Sequence, residues 1–532
     1  MIRSERMKKT AVALFFAFLL LVGLCTVRDY TGSYDEIAEQ MIVRSNLKEY
    51  ALHLEKLGVR LNYWLECSSK PISESIERDH GAAGFYLYGL LFPLIQHHET
   101  VRYTLWSVMI WLWFMLGVWS LYAIARRFGM NRVLSCASSL LLYLSPVFFA
   151  QGHINNKDMV LMCLMLATIW QGMRLMDDMT VPNALCYSFV GALAMNTKIV
   201  GVLAWGVMGA CALVKTALER KWNGRHLKAL AAAVISFALF YLLLTPAMWP
   251  SPIAFIRYLL TNAASFSRYK GRVIFRDALF EIPENPLPVY YLPYMIAVTL
   301  PVYVLALCAA GQIAAIRQGL KKPRAFLKTT EGCTLTAATL CWAAPVAGFM
   351  LLRPTVYHSW RHFYFVFAGM GVLAVYGVRA IWQMAQKRVW IRRIAAGVLA
   401  VCFASSAAGM MLNHPRQSAY YNVLAAGKEM EAEFWNTSGT YALKRLAECE
   451  DRNSALPMEV GCWFFDIGNA RFKLDDELKA RITTTTAEDA PYLYYPQKTM
   501  QLETVAQPEG YRVLFEVEGY GRKIGTMYER EP

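Results

Sequence analysis

Charged side chains beside long apolar runs are rare and costly, so the places where this sequence sets them mark its candidate chemistry. Asp35 and Glu36 lie in Asp29-Tyr-Thr-Gly-Ser-Tyr-Asp35-Glu36, directly beyond the first apolar run. A carboxylate held at a lipid boundary is partly desolvated and suits a general base for a hydroxyl or amine, although a solvated acidic loop would contain the same residues. Lys157 and Asp158 adjoin in Gly152-His153-Ile-Asn-Asn-Lys157-Asp158 at the start of another apolar run. A helix N-terminus there favours the carboxylate, and simple capping by Asn156 or Asp158 is the plain alternative. Lys198 follows Asn196-Thr197 as an isolated cation between two apolar runs. Phosphate is a suitable counter-ion for it, and snorkelling to the interface is the other reading. Arg361 and His362, in Tyr357-His-Ser-Trp-Arg361-His362-Phe-Tyr, suit a phosphate or pyrophosphate because guanidinium binds oxyanions in a bidentate manner. An aromatic belt with one anchoring Arg would look the same. Glu36, His80 and His153 complete the set as acceptor or loop candidates, a lone His being more often structural than catalytic.

What must position these residues is a membrane bundle. The chain has 532 residues, of which 56% are hydrophobic and 17% charged. Its mean hydropathy of +0.29 is outside the usual range of soluble domains. The apolar blocks run to about 17 to 25 residues, enough to cross a hydrocarbon layer of about 30 Å as a helix. The first, Ala11 to Val27, follows Arg3, Arg6, Lys8 and Lys9. It is long for a signal peptide and no small-x-small cleavage site follows, so it reads as an uncleaved signal anchor with the N-terminus in the cytoplasm. Further spans are expected at Val101 to Ile124, Val133 to Ala150, Met159 to Met176, Ala184 to Met195, Ile199 to Val214, Ala229 to Trp249, Val289 to Ile316, Cys333 to Leu352, Phe363 to Trp382 and Ile394 to Leu412. That makes about eleven, of which the fifth and sixth are short enough to be one kinked hairpin.

The charge pattern tests this register. The formal net charge is +15, yet the Lys and Arg residues sit in short clusters between apolar blocks. Arg126, Arg127 and Arg132; Lys215, Arg220, Lys221, Arg225 and Lys228; Arg317, Lys321, Lys322, Arg324 and Lys328; and Lys387, Arg388, Arg392 and Arg393 all fall on the side of the N-terminus. Such alternation is the positive-inside pattern and argues against nucleic acid as a partner. The opposite side holds the long loop 28–100, the loops around 152–157, 250–288 and 353–361, and the tail after Asn413. Every candidate residue lies there.

The tail from 413 to 532 has lost the long apolar runs and reads as a small α/β cap: an amphipathic helix over Glu429 to Glu450 and strands in Met458 to Phe465, Tyr492 to Tyr495 and Tyr511 to Tyr528. The expected organisation is thus a transmembrane domain over 1–412, with its first exterior loop at 28–100, and an exterior domain over 413–532. The 12 cysteines are scattered, mostly inside apolar blocks, without the paired spacing of a zinc site. Cys67, Cys449 and Cys462 fall outside the membrane, where a disulfide is chemically allowed; the spacing does not pair them. No internal repeat is evident, which weakens a transporter reading.

The order of these features resembles the GT-C class of membrane glycosyltransferases, in particular bacterial relatives of protein O-mannosyltransferases and of the aminoarabinose transferases that modify lipid A. The matching pieces are Asp35-Glu36, Asn155-Asn-Lys157-Asp158, Thr197-Lys198, Thr245-Pro-Ala-Met-Trp249-Pro250, Trp360-Arg361-His362-Phe363, His414-Pro415 with Tyr420-Tyr421-Asn422, and the closing Phe515 to Tyr528. The resemblance covers nearly the whole chain. It implies a mainly α, GT-C-like bundle that transfers a sugar from a polyprenyl-phosphate donor to an envelope acceptor on the non-cytoplasmic face of the plasma (inner) membrane, with inversion expected. Asp35 would be the catalytic carboxylate, Asp158 would help position acceptor or donor, and Lys198 and Arg361 would neutralise the lipid phosphate, with His362 and Lys157 in support. Relatives often carry His-Pro-Pro in the first loop where this chain has His80-Gly81-Ala82, and a helical stretch from Ile37 to Leu57 is extra. The partners implied are the lipid-linked donor, membrane lipids and an envelope acceptor. No cofactor is firmly implied, a divalent metal stays open, and no metal-ligand set is assigned. A transporter or flippase of lipid-linked sugars is the alternative, sharing the spans and the phosphate-binding cations but needing no base.

Overall fold

A computed structural model describes residues 2–264, 271–282, 284–431, 435, 437–450, 457–462, 467–496 and 506–532. Among the described residues nine helices are long and apolar enough to cross a membrane: Glu5–Thr26, Glu99–Arg127, Asp158–Asp177, Ile199–Glu219, Gly224–Leu244, Val302–Lys321, Thr330–Leu352, Arg361–Met384 and Val389–Leu412. A tenth span is formed if the bent pair Arg132–Tyr143 and Pro146–Ile154, which meet at 71°, crosses as one. Pro146 explains the break. The residue before a proline is pushed out of the helical region, as Ser145 is at ψ 108°, and proline then opens the next helix where its missing N–H costs nothing. The protein is a multi-pass membrane protein, with nine or ten spans of this kind in place of about eleven. The difference is Val181–Thr197, which at 17 residues reaches only about 26 Å and packs along Gly224–Leu244. The expected run Val289 to Ile316 is likewise two helices, Tyr291–Thr299 and Val302–Lys321, parted at Pro301.

Burial ranks the helices. Asp158–Asp177 is apolar all round and 89% of its apolar window is buried, whereas for Val389–Leu412 the share is 6%. The first is the centre of the bundle and the second its lipid-facing edge. Where no water drives association, helices hold together by close packing of small residues. Val302–Lys321 and Phe367–Met384 do so with their backbones in touch: a Cβ on Gly311 would collide with the Leu373 carbonyl, and one on Gly377 with that of Leu307.

The two ends of the bundle differ in charge. Arg127 pairs with Asp177, Arg225 with Asp178 and Arg132 with Glu5, and Lys215 donates to the Met176 carbonyl at 3.2 Å. Asp158, at the opposite end of its helix, meets Lys198 and Arg361. Between the first span and the second lie the helix Glu36–Glu55, close to the expected Ile37 to Leu57, and the short helix Tyr86–Ile95. Leu87, Leu90 and Leu94 are exposed along one face of the latter, as suits a helix lying at the interface.

Among the described residues seven strands are present. β1 (Gly271–Phe275) and β2 (Ala278–Ile282) form a hairpin in the loop before Tyr291. β3 (Met458–Cys462), β4 (Ile482–Thr485), β5 (Tyr492–Pro496), β6 (Tyr511–Gly519) and β7 (Arg522–Arg530) make one sheet in the order β4-β3-β5-β7-β6, parallel around β3 and antiparallel around β7. The helix Gly439–Cys449 packs on it through Leu443 and Leu446, against Val460, Tyr494 and Met527. The expected helix from Glu429 to Glu450 is thus shorter. Ala426 and Gly427 both take positive φ, and Met430 instead bridges to Phe275 as extended chain. Of the strand expected from Met458 to Phe465, residues 463–465 lie outside the described residues.

Candidate active site

Asp158 is the first residue of the central helix and is 1% exposed. Its Oδ1 accepts from Lys198 Nζ, and its Oδ2 lies 3.5 Å from Arg361 Nη1 and 3.4 Å from Asn155 Nδ2. The chain turns into this helix through Asn155, whose Oδ1 accepts from the backbone N–H of Asp158 at 2.8 Å and of Lys157 at 3.2 Å. That bond satisfies a donor that a helix start leaves open and fixes where the carboxylate points. Two full positive charges, with the positive end of a 20-residue helix, thus stand against one carboxylate. Arg361 is 8% exposed, and its Nε has no partner among the described residues. Its guanidinium is held flat by the ring of Trp435 at 4.5 Å and that of Tyr357 at 5.2 Å. An excess of positive charge with unused donors is what binding an anion requires.

Lys157 points the other way. It pairs with Glu39, which also accepts from Asn156 Nδ2 at 3.1 Å, and its Nζ lies 2.8 Å from His80 Nδ1. The same His80 nitrogen is 2.9 Å from Glu77, so the tautomer decides whether it accepts from Lys157 or donates to Glu77. Lys157 and His80 therefore tie the first loop to the turn that presents Asp158.

Asp35 stands at the N-cap of the helix Glu36–Glu55, is exposed, makes no side-chain cap bond and has no ion-pair partner among the described residues. It faces the same region as the cations. Burial raises the Tyr357 hydroxyl above its ordinary value; Arg361 opposes this, and Asp35 and Asp158 both add to it. The ring of His362 lies edge-on to Tyr357, with centroids 4.6 Å apart.

The structure places two other candidates away from this cluster. His153 is fully buried between the rings of Tyr30 and Trp111, at 4.3 and 4.4 Å, with Nδ1 2.9 Å from the Phe149 carbonyl and Nε2 3.3 Å from that of Gly23. Those contacts are packing contacts. Glu36, 1% exposed, turns inward and faces the buried Lys473 of the C-terminal sheet region. Burial pushes the Glu36 carboxyl above the usual range and Lys473 below its own, each opposed by the other's charge.

Two carboxyls escape a reading of the sequence. Glu39 is one turn beyond Glu36 on the buried face of its helix, and the spacing of Glu36, Glu39, Val43 and Leu47 is the signal that marks it. Glu431 carries no local signal. It is 3% exposed, its Oε2 accepts from the Ser359 backbone N–H at 2.8 Å, and its Oε1 has no partner among the described residues. Burial pushes it up to about 8, against the pull of Arg361. Among the described residues no group of three or more His, Cys, Asp or Glu is gathered closely enough to hold a metal ion.

With this geometry in hand, comparison with known proteins is informative. Residues 79–263 match the model of the dolichyl-phosphate-mannose-protein mannosyltransferase family. No curated protein matches the chain in sequence. Among solved structures, ArnT from Cupriavidus metallidurans bound to undecaprenyl phosphate is similar at 15% identity and a TM-score of 0.50, over 97% of this chain and 98% of that one. The apo form of that protein gives 13%, 0.49, 98% and 98%. An oligosaccharyltransferase of Archaeoglobus fulgidus, in complex with zinc and sulfate, gives 11%, 0.40, 90% and 68%. The fold is ArnT-like from end to end, and together with the family match it agrees with the resemblance to GT-C glycosyltransferases.

Proposed function

We propose that this protein is a glycosyltransferase that moves a sugar from a polyprenyl-phosphate donor to an envelope acceptor on the non-cytoplasmic face of the plasma (inner) membrane, with its N-terminus in the cytoplasm and residues 413–532 outside. The observation that carries this reading is the pairing of one buried carboxylate, Asp158, with two cations, Lys198 and Arg361, beside a second carboxylate, Asp35, that no cation claims among the described residues. The family match over residues 79–263 and a fold like that of an ArnT that binds undecaprenyl phosphate support the same donor class.

In this reading Asp35 takes the proton of the acceptor hydroxyl or amine, and the freed lone pair attacks the anomeric carbon. The bond from that carbon to the phosphate oxygen breaks, and the phosphate leaves with the electron pair. Lys198 and Arg361 stabilise the charge it gains, in a site already arranged for it. Asp158 has both oxygens engaged, so its part is to hold the two cations. A single displacement of this kind inverts the anomeric centre. The test is reconstitution of the purified protein in vesicles with a radiolabelled polyprenyl-phosphate sugar and an envelope extract. Label passing to an acceptor is the expected result. Lipid-linked label crossing the bilayer without transfer would make the protein a transporter.

A further inference from the structure

The segment that carries Asp35 is held along its length by the C-terminal domain. Arg28 Nε donates to the Lys473 carbonyl at 3.3 Å, and Asp29 accepts from Lys444 Nζ at 2.8 Å. Lys473 Nζ donates to the Tyr30 carbonyl at 2.9 Å. Thr31 Oγ1 donates to Thr440 Oγ1 at 3.0 Å and accepts from the Thr440 backbone N–H at 2.8 Å, and Asn469 Nδ2 donates to the Ser33 carbonyl at 3.2 Å. Between them, Gly32 is pressed against Glu36, where a Cβ would strike its Oε2.

Lys473 is the centre of this clamp. Only 1% exposed, it reaches through the loop to a membrane helix, where Nζ donates to Ser107 Oγ at 2.6 Å, and it faces Glu36, the neighbour of Asp35. Burying an ammonium and a carboxylate together returns little stability, because desolvation offsets their attraction. What the two hydrogen bonds donated by Lys473 do secure is a position. We propose that Lys473 is a positioning residue for the transfer reaction: by tying the Tyr30 carbonyl to Ser107 it sets the place of Asp35, so that the C-terminal domain completes the active site.

This role rests on Asp35 being the base, and the test separates the two. Full-length wild type, Lys473→Met, Lys473→Arg, Asn469→Ala and Asp35→Asn are compared in vesicles with a polyprenyl-phosphate sugar, folding being checked by thermal unfolding. Displacement of a catalytic group by about 1 Å costs on the order of 10²-fold. Lys473→Met is therefore expected to lower kcat by about that factor while the donor KM stays put, and Lys473→Arg to regain most of it. Asn469→Ala, which loses only the bond to Ser33, lowers kcat less and keeps the test open if Lys473→Met does not fold. A wild-type kcat in Lys473→Met or, where that variant does not fold, in Asn469→Ala, with Asp35→Asn inactive, overturns the positioning role and leaves the base intact. Full activity in Asp35→Asn overturns both.

Discussion

Asp158 and Asp35 border the same end of the bundle, each at the start of a helix, and their surroundings are opposite. Asp158 is buried, has both oxygens engaged and opens the most enclosed of the long apolar helices among the described residues. Asp35 is exposed, caps nothing with its side chain and has no cation beside it among the described residues. The contrast separates two jobs that a carboxylate can do near a phosphate. One that two cations claim organises charge, while one that none claims remains free to take a proton.

That contrast can be broken most directly at Asp35. Asp35→Asn should lower transfer by about 10²- to 10⁴-fold, the range of a lost general base, with the thermal midpoint and donor KM unchanged. A fall in stability instead would place Asp35 in the structural class with Asp158. Asp158→Asn should do the reverse first: it leaves two cations facing each other, and loss of one partner of a buried ion pair costs about 3–5 kcal/mol, readable by thermal unfolding in detergent. Asn155→Ala should cost about 1 kcal/mol, the usual worth of such a cap, and raise the donor KM as Asp158 loosens.

Glu431 tests the same rule with the opposite sign. Its carboxyl is pushed from the ordinary 4.5 to about 8, so over that interval the native state keeps a proton that the unfolded chain has lost. Stability should therefore fall as pH rises from 4.5 to 8 and level off above it. Glu431→Gln should remove that component, narrowing the gap between melting temperatures at pH 5 and pH 8. An unchanged gap would mean that Glu431 is ionised in the fold.

Much of the site is legible in the sequence because lipid makes charge conspicuous. Lys157, Asp158, Lys198 and Arg361 each interrupt or border an apolar run, and the basic clusters separate one end of the bundle from the other. The helix Glu36–Glu55 and most of the strands are legible too, the former by its length and the latter by composition. What is not legible is set by contacts distant in sequence. Whether His153 serves an acceptor or is a packed ring depends on Tyr30 and Trp111 closing over it, and nothing near Glu431 or Lys473 tells that the former is buried against the turn at Ser359 and the latter against the first loop. Pro146 and Pro301 are visible, but whether a proline bends one span or divides two is settled only by packing.

The glycine contact between Val302–Lys321 and Phe367–Met384 reaches further than its own neighbourhood. Phe367–Met384 runs on directly from the 3-10 turn that begins at Arg361, so the two form one stiff rod with a guanidinium at its tip. Gly377 sits sixteen residues along that rod and acts as its bearing: the side chain that is missing there sets how near the rod lies to its neighbour. Bulk added at Gly311 or Gly377, far along the bundle from Arg361, would tilt the rod and swing its tip. The aim of Arg361 into the candidate site is in this sense calibrated at the far end of a lever.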